Sequence, residues 1–150
     1  MKRHVVRFML IVTATFVLGV VSVNAQSSNG VKANVPFDFI VGDQTFQAGA
    51  ITARTMLGPN GEPLLISSGD NRQHALCLTR SLDSTKSSEN ARLVFRKYGN
   101  RYYLAQVWTS GYSGSELFKS RSERALEREM RRVAKNASEP EMVAIIAAVD

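Results

Sequence analysis

Val31-Lys32-Ala33-Asn34-Val35-Pro36-Phe37-Asp38-Phe39-Ile40-Val41 carries an apolar residue at every second position from Val31 to Val41. Successive strand side chains point to opposite faces, so this period predicts a β-strand with one buried side. Pro36 falls on the other side and has no N–H to donate, which predicts an edge strand or a bulge. Gly42-Asp43 interrupts the alternation where a two-residue hairpin turn fits. Gln44 to Ala48 then pairs back and sets Phe46 across from Phe39. After a bend at Gly49, Ala50 to Met56 continues as strand.

The pattern persists towards the C-terminus. Gly58-Pro59-Asn60-Gly61 and Gly69-Asp70-Asn71 are turns. Leu64 to Ser67 and Gln73 to Leu82 are strands, and the polar stretch from Asp83 to Asn90 reads as a surface loop. Arg92 to Tyr98, Gly99-Asn100 and Arg101 to Trp108 form the clearest hairpin, with Phe95 opposite Leu104 and Arg96 opposite Tyr103. Thr109 to Ser115 reads as a Gly/Ser loop.

The period then changes. Ser120-Arg121-Ser122-Glu123 fits a capping box, in which the Ser120 hydroxyl accepts from the Glu123 N–H and the Glu123 carboxylate reaches back. Leu126, Met130, Val133 and Ala137 recur at helical spacing. Ser138-Glu139-Pro140-Glu141 is a second helix start, and Met142, Ile145, Ile146 and Val149 make a second stripe. The predicted fold is α+β, mainly β: a small antiparallel sandwich or partly open barrel. Its single domain spans 31–150, with C-terminal helices at about 119–137 and 139–149.

The N-terminus has a different character. Lys2, Arg3 and Arg7 precede an apolar run from Phe8 to Val21, and Val23-Asn24-Ala25 presents small residues before Gln26. This is the layout of a secretory signal peptide over 1–25, cleaved between Ala25 and Gln26 and followed by a flexible lead-in at 26–30. The apolar run falls short of the roughly 20 residues a membrane helix needs. The expected mature protein is therefore exported, periplasmic or extracellular, with no transmembrane segment after cleavage. Removing three basic residues from a chain of net charge +6 leaves +3. Seven basic residues fall between Lys119 and Lys135 against Glu123, Glu127 and Glu129, so the positive charge is concentrated in one element.

No catalytic residue, metal ligand or cofactor is predicted. Cys77 is the single cysteine, so no internal disulfide forms, and its apolar setting reads as a buried small residue. With the leader removed, His74 is the one histidine, too few with Cys77 for a tetrahedral zinc site. Gly111-Tyr112-Ser113-Gly114 resembles a nucleophile elbow but lacks the second Gly at the required offset. Asp70-Asn71 lacks the alternating acids of a calcium loop.

Two surfaces remain. Arg124, Arg128, Arg131 and Arg132 could meet an anionic surface or polymer, or form a solvated outer face. Nucleic acid is not an expected partner, because an export signal argues against that address. Tyr98, Tyr102, Tyr103, Trp108 and Tyr112 could line a ligand groove or fill a small β core and its rim. The expected role is a non-enzymatic, exported binding or structural protein, envelope-associated or secreted. The alternative is a small secreted enzyme with an unrecognised site.

Three stretches together carry a resemblance. Val35-Pro36-Phe37-Asp38-Phe39-Ile40-Val41-Gly42 is the first, and Gln47-Ala48-Gly49 is the second. The third is Tyr102-Tyr103-Leu104-Ala105-Gln106-Val107-Trp108 with the following Lys119-Ser120-Arg121-Ser122-Glu123-Arg124. The chain resembles a group of short exported bacterial proteins of unknown function. That group has a VPF.F..G strand, an AG turn, a Y.L..VW strand and a charged helix. The chain departs at Ile51, where the group shows Tyr. The resemblance implies export and a β-rich fold, and it transfers no active residue.

Overall fold

The computed structural model describes residues 30–56, 63–88, 90–109, 111–133 and 139–149. The expected leader at 1–25, its cleavage point between Ala25 and Gln26, and the turn at 58–61 lie outside these residues. Gly30 belongs to the first strand rather than to a lead-in.

The alternation at 31–41 becomes two strands, β1 (Gly30–Val35) and β2 (Phe39–Val41). Val31, Ala33, Val35, Phe39 and Val41 are buried, and Phe37 packs against the same core. Pro36 occupies a bend between the two strands. The edge-strand expectation fails because the ladder stops at Val35, where the missing N–H is no longer needed. The Gly42-Asp43 turn forms, with Gly42 at φ +62°, and leads to β3 (Gln44–Phe46) with Phe46 opposite Phe39. Gly49, at φ +148°, redirects the chain into β4 (Gly49–Thr55). Residues with a Cβ rarely adopt that backbone, which explains glycine at this corner.

The remaining strands are β5 (Leu64–Ser68), β6 (His74–Cys77), β7 (Thr79–Ser88), β8 (Ala91–Tyr98), β9 (Arg101–Trp108), β10 (Gly111–Leu117) and β11 (Glu141–Val149). From β1 the sheet runs one way through β4 and β5 to β6. It runs the other way through β11, β8 and β9 to β10 and β7. Only Leu78 separates β6 from β7, so the chain itself links the two edges. The result is a nearly closed antiparallel barrel. The β2–β3 hairpin lies against β9, where β2 pairs in parallel at Ile40 and Tyr103.

Several sequence expectations change here. The stretch 139–149, read as a helix, is strand β11. Val143, Ile145 and Ala147 are half-buried and alternate with exposed Met142, Ala144, Ile146 and Ala148. A helix this short is marginal alone. The slot between β8 and β1 instead offers ladder partners on both sides. Gln73 to Leu82 divides into β6 and the start of β7. The expected loops at 83–90 and 109–115 are largely β7 and β10, paired from Gly111–Ser88 to Leu117–Thr79. Arg80 and Glu116 form an ion pair across this ladder. Polar strands of this kind bury little apolar area, so hydrophobic period does not reveal them.

The core centres on the β8–β9 hairpin, with Phe95 opposite Leu104 as expected. Phe95 meets Phe37 and Phe39 edge-on, with centroids 5.3 and 5.2 Å apart. Phe39 stacks on Phe46 at 5.5 Å and Phe37 on Tyr102 at 3.9 Å.

One helix is present among the described residues, α1 (Arg121–Val133), and residues 134–137 of the expected helix lie outside them. Half of the capping box forms: the Glu123 N–H donates to Ser120 Oγ at 3.2 Å. The Glu123 carboxylate goes elsewhere. The apolar stripe of Leu126, Met130 and Val133, which at helical spacing would be expected to face inward, is not buried as a whole. Glu123 is 2 % exposed, Leu126 is half-buried, Met130 is 38 % exposed and Val133 85 %. Exposure rises along the helix, so α1 is held by its first turn and stands clear at its end.

Candidate functional site

A cavity of about 490 Å³ opens where seven strands converge at one end of the barrel. Its apolar wall is Val31 of β1, Ala53 of β4, Leu64 of β5, Val107 of β9 and Val149 of β11. The register builds that wall: Val31 pairs with both Ala53 and Val149, which brings three strands to one level. The polar part comes from Thr55, Ser81, Asp83, Thr109, Ser113 and Ser115. Strand β7 supplies Ser81 and Asp83, and β10 supplies Ser113 and Ser115. β7 and β10 therefore contribute most of the hydroxyls.

Gly114 shapes the same rim. A Cβ there would lie 2.6 Å from the Trp108 ring, so only glycine allows β10 this close to the indole. Trp108 Nε1–H donates to Gln106 Oε1 at 2.8 Å, which holds the indole over Gly114. Thr109 Oγ1–H donates to the Ser113 carbonyl at 3.1 Å and ties the two sides of the rim together.

Among the cavity's lining residues Asp83 is the one ionisable group. His74 sits outside the cavity, its ring nitrogens 3.0 Å from Ser67 Oγ and 3.0 Å from the Asn71 carbonyl oxygen. Burial pushes the Cys77 thiol up, away from the thiolate a nucleophile requires. Ser113 lies within β10 rather than at a strand-to-helix turn. A hydrogen bond from the Ser68 hydroxyl, joined by the Arg72 N–H, holds the Asp70 carboxyl below its usual range within a turn. Among the described residues no cluster of three or more His, Cys, Asp or Glu could hold a metal. None of their helices is long and apolar enough to cross a membrane.

A second cluster was missed by sequence reasoning. Arg96 of β8 and Glu123 of α1 form a buried bidentate pair, with Nε–Oε1 2.5 Å and Nη2–Oε2 3.1 Å. Tyr98 Oη–H donates to the same Glu123 Oε1 at 3.1 Å. Burial, then the Glu123 charge, pushes the Tyr98 phenol up. Ser120 offered the only sequence signal, by marking Glu123 as the cap residue whose carboxylate would be engaged. What it engages is across the fold, so local spacing gave the wrong partner. The cluster fixes α1 to the barrel wall.

The four arginines singled out in the sequence lie on α1 and are exposed. Arg131 Nη2 contacts Glu127 Oε1 at 2.8 Å, and Lys119 Nζ contacts Glu127 Oε2 at 2.9 Å. These two cations, Lys119 first, hold the Glu127 carboxyl below its usual range. Arg124 and Arg128 instead donate Nε–H to the Ser120 and Arg124 carbonyls, at 3.3 and 3.2 Å. The five aromatic residues do not converge on a groove. Tyr98, Tyr103 and Trp108 are buried, Tyr102 stacks on Phe37, and Tyr112 is exposed.

No protein-family model matches the chain, and neither the curated proteins nor the solved structures hold a significant match to it.

Proposed function

We propose that this protein is an exported, non-enzymatic binding module that holds a small amphipathic molecule in the mouth of its barrel. The observation that carries the reading is the roughly 490 Å³ cavity, with an aliphatic wall on one side and hydroxyls plus Asp83 on the other. Ligand sites usually span about 300–1,000 Å³ and favour barrel mouths. A ligand with a short aliphatic body and an alcohol or amine head matches this lining. The basic first 25 residues support export, and the exposed arginines of α1 support contact with an anionic surface or polymer.

Trp108 is the sole tryptophan, and its ring borders Gly114 of the cavity rim. Titration with octanol and octylamine should therefore shift its emission saturably. Ser81→Phe, which places a ring in the cavity from an exposed strand, should abolish the shift without changing the melting temperature. A linear, non-saturating response in both proteins would remove this reading.

Export has its own check. Mass analysis of the protein from the exported fraction should find Gln26 as its first residue. A chain that still carries Met1 or Lys2 would contradict cleavage after Ala25.

A further inference from the structure

Side chains along a strand alternate between the two faces of its sheet. Leu117 of β10 is buried in the core, so Ser115 and Ser113 share its inward side. Their ladder partners on β7 are Ser81 and Asp83, and Ser115 also pairs with the core residue Val107 of β9. The cavity wall therefore grows more polar in steps. It is aliphatic at Val107, carries hydroxyls at Ser115 and Ser81, and ends in a carboxylate beside a hydroxyl at Asp83 and Ser113. Asp83 is exposed, which places the carboxylate at the mouth.

These polar groups are uncommitted. The Asp83 carboxylate and the hydroxyls of Ser81, Ser113 and Ser115 meet no hydrogen-bond or ion-pair partner among the described residues. On the outward side of the same two strands, Arg80 and Glu116 neutralise each other. The inward side has the anion without a cation.

That difference decides the head of the ligand. An ionised carboxylate only accepts hydrogen bonds. An alcohol head donates one proton and leaves the charge standing, and an acidic head is repelled. A primary ammonium carries the opposite charge and three donors with no acceptor, which suits one carboxylate flanked by hydroxyl oxygens. The cavity accommodates one such charge. Its lining holds no second ionisable group, and a cation pushed against Val31, Leu64 and Val107 would lose its hydration without gaining a partner.

From this arrangement we infer that the cavity selects primary monoamines with an aliphatic tail, Asp83 taking the ammonium at the mouth while the Ser81 and Ser113 hydroxyls accept its remaining protons. The inference rests on the barrel-mouth reading above and narrows the two heads allowed there to one.

The test is calorimetric titration of the protein, as isolated, with octylamine, octanol, octanoate and diaminooctane at neutral pH and low salt. Octylamine should bind about tenfold tighter than octanol, the scale of a hydrogen bond to a charged group at a site that water reaches. Octanoate should bind more weakly than octanol, and diaminooctane more weakly than octylamine. Rising ionic strength should weaken octylamine far more than octanol. Asp83→Asn, which keeps the shape and removes the charge, should erase the preference for the amine, and Asp83→Glu, which keeps the charge, should retain it. Equal affinities for octylamine and octanol, or an Asp83→Asn variant that still prefers the amine, would overturn the inference and leave the barrel-mouth reading in place. A diamine bound as tightly as octylamine would also overturn it. Failure of all four compounds to bind would remove both.

Discussion

Glu123→Ala should destabilise the protein by about 3–5 kcal/mol in reversible urea denaturation, the usual cost of removing one partner from a buried ion pair. The substitution leaves the Arg96 guanidinium without its carboxylate in a site it shares with Tyr98. It also strips the phenol of its acceptor, and a buried donor left unmade costs more than the bond contributed. Replacing both charges, with Arg96→Met and Glu123→Leu, should restore most of the loss, since well-packed apolar pairs often match or exceed buried ion pairs. The comparison separates the cost of an orphaned charge from the worth of the pair. A loss under about 1 kcal/mol for Glu123→Ala would mean that water reaches Arg96 and that α1 is not anchored there.

Phe95→Ala should cost a similar amount, about 3–5 kcal/mol. The ring is completely buried and touches Phe37 and Phe39 edge-on, so its loss opens a cavity between β8, β2 and the bend that precedes β2. Those strands are held by ladder bonds and cannot collapse inward to refill the space, which sets the cost at the high end. Phe39→Ala should follow closely, because Phe39 bridges Phe95 and Phe46. Losses under about 1 kcal/mol at either position would show that the register of β2 against β3, or of β8 against β9, is wrong.

How much of this was legible in the sequence depends on what each segment buries. Strands that put one apolar face into the core announced themselves: 31–41 by its alternation, and the β8–β9 hairpin by Gly99-Asn100 between two apolar runs. Even their pairings followed from turn length, as with Phe39 and Phe46. Strand β11 was misread because it is apolar on both faces. Met142, Ile145, Ile146 and Val149 fit a helical stripe as well as Val143, Ile145 and Ala147 fit a strand, and only the open slot between β8 and β1 decides the matter. Strands β7 and β10 were misread for the opposite reason. Ser, Thr and Gly dominate them, and their order comes from pairing with each other rather than from burial. The cavity inherits part of that gap, because Asp83, Ser113 and Ser115 lie in stretches that looked like loops, while Ser81 fell at the end of an expected strand. The Arg96–Glu123–Tyr98 cluster was hidden by distance along the chain.

The position of β11 also governs when the barrel can exist. Val31 pairs with Val149, and Ala91 to Lys97 pair with Glu141 to Ala147. Until residues 141–149 have been synthesised, β1 and β8 each keep an open edge, and open edges invite pairing with other chains. The wall between them is therefore the last to be laid down, and every nascent chain passes through a stage in which two apolar edges face solvent. The same order leaves folding dependent on contacts distant in sequence, which makes closure slow relative to helix formation.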